Sequence, residues 1–133
     1  MKEIFDNLSF ELSEITTKRY STSFSLGISF LNKKLHRPIY GIYGFVRFAD
    51  EIVDSFHDFD KAALLKDFKE QTYRAINDKI SLNPILNSFQ WAVNEYEIPL
   101  ELVDTFLNSM EMDLHDQQYD QQTYEKYILG SAE

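Results

Sequence analysis

The stretch Ile42–Phe56, I-Y-G-F-V-R-F-A-D-E-I-V-D-S-F, constrains the fold more than any other part of the chain. Wound as a helix, it gathers Tyr43, Arg47, Asp50 and Asp54 into a seam about 60° wide. Ile42, Phe45, Val46, Ala49, Ile52, Val53 and Phe56 fall within an opposite arc of about 120°, and Phe48 fills much of the remainder. Such a helix is expected to be buried on most sides except along one charged strip. Carboxylates buried without partners are costly, so the strip should face a polar cavity or a bound cation. The competing reading is a solvated strip in which Arg47 pairs with Asp50 at i+3. There the repulsion between Asp50 and Asp54 would cost only about 0.2–0.5 kcal/mol.

A chain of 133 residues fits a single domain that can bury a core without covalent staples. It has no cysteine, which excludes disulfides and thiolate chemistry. A net charge of −9, with acids spread along the length, argues against nucleic acid, whose phosphates are held chiefly by Lys and Arg. An acidic protein that holds an anionic substrate needs divalent cations to bridge the two. No apolar run approaches the roughly 20 residues of a membrane span. The start, M-K-E-I-F-D-N, lacks the basic flank and apolar run of a secretory signal, so the expected location is the cytoplasm. Aromatic residues make up 15%, enough for a thick helical core or a large apolar pocket.

Along the chain, Ile4, Phe5, Leu8, Leu12 and Ile15 form a helical stripe over residues 4–20. The hydroxyl cluster Y-S-T-S-F-S, residues 20–25, leads into Leu26, Ile28, Phe30 and Leu31. It either caps a helix or offers an open helix start to phosphate. Asn32 can cap the next helix, which runs through Pro38 to near His57; the proline is tolerable in a first turn. Asp58 or Asp60 caps a helix to about Asn77, with Leu64, Leu65, Phe68 and Ile76 inward. Asn83-Pro84 opens a helix bearing Ile85, Leu86, Phe89 and Val93. Pro99 opens another with Leu102, Val103, Phe106, Leu107 and Met110. After the polar patch H-D-Q-Q-Y-D-Q-Q, T-Y-E-K-Y-I-L-G-S-A-E begins a further helix. No period-2 strand pattern appears, so the fold class is all-α, with six or seven helices.

Aspartates at i and i+4 on one helix face suit magnesium, a hard cation that keeps coordination positions for substrate phosphates. Arg47, one turn back from Asp50, can grip a phosphate oxygen or orient that carboxylate. The D-x-x-x-D pattern is weak alone; Y-x-x-x-R-x-x-D-x-x-x-D on a buried helix carries more information.

The block G-I-Y-G-F-V-R-F-A-D-E-I-V-D, preceded by Y-S-T-S-F-S and followed by Y-E-K-Y-I-L-G-S-A, resembles the squalene/phytoene synthases, and among them the bacterial phytoene synthases. These are head-to-head prenyl synthases. The three segments occur in the family's order and span nearly the whole chain, although they correspond to the amino-terminal half of a family domain. The resemblance implies an isoprenoid-synthase-like helical bundle, here the amino-terminal portion of a larger domain. It also implies magnesium-assisted condensation of two prenyl diphosphates, farnesyl or geranylgeranyl, through a cyclopropyl intermediate. By the same resemblance Asp50 and Asp54 hold the metal, and Tyr43, Arg47 and Tyr127 join them as catalytic residues. Tyr20, Ser21, Ser23, Phe24, Ser131 and Ala132 fall at substrate-binding positions. Tyr20 stands where some relatives carry histidine, and Y-I-L-G-S-A-E replaces the commoner Y-C-Y-x-V-A-G. The family's second aspartate-rich motif has no counterpart here. Asp113, Asp116 and Asp120 fall instead where the family has its D-L segment, and surface polarity is their expected role.

Substantial activity is therefore not expected from these 133 residues alone. A homodimer through exposed apolar faces and a peripheral membrane contact are further expectations, as is a non-catalytic bundle that serves self-association or partner binding. A di-iron bundle would need Glu-x-x-His pairs, which are absent, so His57 and His115 read as surface or capping residues. Trp91 and the Phe and Tyr stripes read as core. Lys33, Lys34, His36 and Arg37 form a solvent-side helix start, with contact to a diphosphate or anionic lipid as the alternative.

Overall fold

Helix boundaries follow the local chemistry of caps and prolines. In the computed structural model, which describes the backbone of residues 1–132 and the side chains of residues 1–118, the chain forms six α-helices joined by short connections. They are α1 (Lys2–Tyr20), α2 (Thr22–Ser29), α3 (His36–Asp54), α4 (Lys61–Asp78), α5 (Pro84–Glu95) and α6 (Leu100–Ala132). Ser21 caps α2 by accepting from the Phe24 amide at 3.1 Å, and Asp60 caps α4 by accepting from Ala63 at 3.0 Å. Asn83 accepts from the amides of Ile85 and Leu86, and Pro84 fills the first helical position of α5. Asn32 caps a single 3-10 turn, Lys33–Leu35, rather than α3 itself; α3 starts at His36, which puts Pro38 in its first turn.

The core is built around Phe45 of α3. Its ring stacks on Phe89 of α5 at 3.8 Å between centroids and also meets Phe68 of α4 and Phe106 of α6. Ala49, Leu65, Leu86, Val93 and Leu107 complete the buried centre. Phe56 departs from the expected inward arc: α3 ends at Asp54, so Phe56 lies beyond the helix and is 38% exposed.

Two expectations about helices fail for physical reasons. The apolar stripe of α1 turns inward only in part: Phe5 and Leu12 are half-buried, but Ile4, Leu8 and Ile15 are exposed while Ser9, Ser13 and Thr17 are fully buried. Small side chains let α1 approach α3 and α5 closely. Ser9 and Thr17 donate their hydroxyls to the carbonyls of Phe5 and Ser13, four residues back, so burial leaves these groups satisfied. The polar patch at 115–122 was expected to separate two helices, but α6 runs through it unbroken. The patch contains neither Pro nor Gly, and Gln, Asp and His tolerate a helix.

Candidate active site

The α3 seam meets the end of α1 and the start of α2. Tyr20, the last residue of α1, offers its ring to the Arg47 guanidinium, whose carbon lies 4.9 Å from the ring centroid. One turn earlier on α3, Tyr43 stacks on Phe24 of α2 at 5.0 Å and 25°. Two aromatic contacts thus fix the serine-rich turn against Tyr43 and Arg47. Ser21 sits at the turn as the α2 cap, and Ser23 stands exposed on α2.

Arg47 does not make the expected i+3 pair with Asp50. Its Nη2 instead donates to Oε1 of Glu51 at 2.7 Å, and Ser55 Oγ stands 3.2 Å from the same oxygen. An i+4 partner lies closer to the arginine's line on the helix than an i+3 one reached around the side. The Nε of Arg47 is buried and finds no partner among the described residues. Burial raises the Tyr20 phenol above its ordinary value, and the neighbouring Glu51 carboxylate pushes it the same way. Glu51 therefore links Tyr20 and Arg47. Its i+4 spacing from Arg47 is the sequence signal for this link, masked by the two aspartates beside it.

Asp50 is half-buried. Loss of solvation raises its carboxyl above the usual aspartate range and outweighs Arg47, which pulls it down; Asp54, Asp113 and Glu51 add to the rise. Asp54 ends α3 and is exposed, with its Oδ1 3.5 Å from Nε2 of Gln117 on α6. Helix α6 thus brings Asp113 and Gln117, one turn apart, to the side of the seam that carries Asp50 and Asp54, also one turn apart. Asp113 is exposed, as expected, and its charge adds to the rise at Asp50. Asp116 is exposed beside His115, at 3.7 Å. The side chains of Asp120, Tyr127, Ser131 and Ala132 lie outside the described residues.

Lys61 is a second residue that the sequence did not flag. It is buried at the start of α4, and its Nζ donates to the Val53 carbonyl at 2.6 Å and stands 2.8 Å from Nδ1 of His57. A cation at the carboxyl end of a helix satisfies carbonyls left without intrahelical partners. Here it fixes the turn that carries Asp54.

A hollow of about 420 Å³ adjoins the seam between α3, α4 and the end of α1, lined by Phe48, Ile52, Phe56 and Phe68 with Tyr20 and Glu51 at the side nearest the seam. The aspartates lie outside it, so the strip is less enclosed than its sequence suggested. Among the described residues no group of three or more His, Asp or Glu is placed to hold a metal. The available donor set is two hard carboxylates one turn apart, with Asp50 short of neutralising charge; this fits an ion that takes one or two protein carboxylates and fills the rest with water and phosphate.

A sequence model of squalene/phytoene synthases matches residues 17–133. The chain belongs to that family. Its fold is similar to the crystal structure of squalene synthase HpnC from Alicyclobacillus acidocaldarius, with a TM-score of 0.73 and 25% identity over 86% of this chain. The likeness covers 41% of the HpnC chain, so this squalene/phytoene synthase chain spans less than half the length of that relative. Comparison with curated proteins returns no match. No helix among the described residues is long and apolar enough to cross a membrane.

Proposed function

We propose that this chain supplies the first aspartate-rich motif and the adjoining diphosphate-binding turn for the head-to-head condensation of two prenyl diphosphates, in a phytoene synthase-like reaction that passes through a cyclopropyl intermediate. The observation that supports this reading best is the convergence of Tyr20 and Phe24 on Tyr43 and Arg47, one to two turns from the under-neutralised Asp50. Asp50 and Asp54 would hold magnesium, which supplies positive charge to the departing diphosphate. Arg47 would bind a diphosphate oxygen once Glu51 yields it, and the ring faces of Phe24 and Tyr43 would stabilise an allylic cation. Tyr127, Ser131 and Ala132 would contribute from α6. The 133 residues alone would bind magnesium and diphosphate weakly and show no substantial turnover.

Thermal shift with farnesyl and geranylgeranyl thiodiphosphate, with and without magnesium, tests this. Ligand at several times its Kd should raise the midpoint by about 2–5 °C only when magnesium is present. Asp50→Asn and Asp54→Asn should each abolish the shift. A chain indifferent to both ligands in magnesium would sink the proposal. The exposure of Ile4, Leu8 and Ile15 on α1 favours a second reading, self-association through that face. A monomeric sedimentation profile at high concentration would dismiss it.

A further inference from the structure

Glu51 holds Arg47 by one point only. Its Oε1 accepts from Nη2 at 2.7 Å, while the buried Nε of the same guanidinium has no partner among the described residues. Arginine–carboxylate pairs frequently close as a fork, with two parallel N–H···O bonds. Here the second prong is left over. The carboxylate, by contrast, has further donors around it. Ser55 donates to the same oxygen at 3.2 Å, and the Tyr20 ring lies against the guanidinium that Glu51 grips, 4.9 Å from its carbon to the ring centroid. Burial, and after it the Glu51 carboxylate, favours the protonated Tyr20 phenol, so its hydroxyl is a donor. Tyr20 and Glu51 both line the hollow of about 420 Å³ and Arg47 does not, which gives Glu51 open space on the side away from the arginine.

We infer that Glu51 is an internal anion that occupies Arg47 until a phosphate oxygen takes its place, and that the hydroxyls of Tyr20 and Ser55 then hold the released carboxylate. The exchange rests on the proposed function, in which Arg47 binds a diphosphate oxygen. Two terms decide how it runs. A carboxylate stripped of its cation beside Phe48, Ile52 and Phe56 is strongly unfavourable, and two hydroxyl donors offset much of that loss. A lone phosphate gains little beyond what Glu51 gives up. A diphosphate anchored through magnesium on Asp50 and Asp54 brings a second attachment of its own. Glu51 therefore selects among anions: it turns away free phosphate and admits the metal-bound diphosphate. Tyr20 acts in this exchange through Glu51, as a positioning residue.

NMR titration of the whole chain tests it, with inorganic phosphate alone and with farnesyl thiodiphosphate in magnesium. The Arg47 Nε–H signal, assigned with R47K, reports the arrival of an acceptor at the unused nitrogen. E51Q should tighten thiodiphosphate binding about tenfold, and it should let phosphate alone move the Arg47 signal, which stays fixed in the parent. Y20F keeps the ring and removes the donor. It should weaken thiodiphosphate binding about fivefold in the parent and less than about twofold in E51Q. A tyrosine that touched substrate directly, or served only packing, would cost the same in both backgrounds. Both substitutions nearly conserve side-chain volume, and circular dichroism establishes that the variants are folded. An E51Q chain that binds no more tightly than the parent would overturn the inference, as would a Y20F effect of equal size in both backgrounds. Indifference of every chain to thiodiphosphate would instead remove the catalytic reading; the latch then stands if E51Q admits phosphate to Arg47 and falls if it does not.

Discussion

Asp50 holds its proton more tightly in the folded chain than it would unfolded, because burial and three neighbouring carboxylates outweigh Arg47. For a carboxyl raised above 3.8, the stability gained is complete below that pH and is lost as the pH climbs through the folded value. Asp50→Asn should therefore raise the thermal midpoint at neutral pH, with the gain vanishing below pH 3.8, as read by thermal melts across pH. An aspartate that served only structure would show the reverse, a loss at neutral pH. The residues most legible in the sequence were those whose spacing was itself the signal: Tyr43, Arg47, Asp50 and Asp54 repeat along one line of a helix. Glu51 and Asp113 were not, for different reasons. Glu51 earns its place through contact with Tyr20, on a helix it does not share. The charge of Asp113 acts on Asp50 only because α6 crosses the seam, and no local pattern encodes a crossing.

Helices α1 and α3 show how apolar periodicity misleads when close approach decides a contact. The large apolar side chains of α1 do not mark its buried face, which is made of small hydroxyl residues; Ser9 and Thr17 bond to their own helix, while Ser13 Oγ finds no partner among the described residues. The neighbouring crossing of α3 and α5 is also close. A Cβ added to Gly41 would lie 2.9 Å from the Ser88 backbone oxygen on α5, so that crossing admits no side chain. Gly41→Ala should cost about 1–3 kcal/mol in urea denaturation, as overpacking forces the helices apart. Gly27→Ala on α2 meets no atom within 4 Å and should instead gain about 0.5–1 kcal/mol from helix propensity. Equal effects at the two positions would mean that the α3–α5 crossing is looser than described. By contrast α5 was legible throughout: a cap and a proline fixed its start, and Ile85, Leu86, Phe89 and Val93 are all buried.

Across the whole molecule, the all-α class and most helix starts were readable because caps and prolines act locally. How the helices meet was not, since Phe45 joins four of them through rings far apart in sequence. Side chains also bind α4 to α6: Tyr73 donates to Asp104, with its phenol pushed up to about 12 chiefly by burial, and Lys69 meets Glu111 at 2.9 Å. The face by which α1 enters the assembly has a different character. Its buried hydroxyls are small; near its start Asn87 of α5 donates to Asp6 at 2.9 Å and to Ser9 at 3.1 Å and Phe10 abuts Trp91, and at its end Tyr20 meets Arg47. The first set of contacts pegs this helix, like a rail, near one end, and Tyr20 stands at the other, about 21 Å away. Asn87→Ala should let it shift and so draw the Tyr20 phenol back towards its usual titration, measured by NMR with Tyr20→Phe for assignment. An unchanged Tyr20 would show that steric fit alone sets the position of the rail, and that its Tyr20 end takes no instruction from the far end of the bundle.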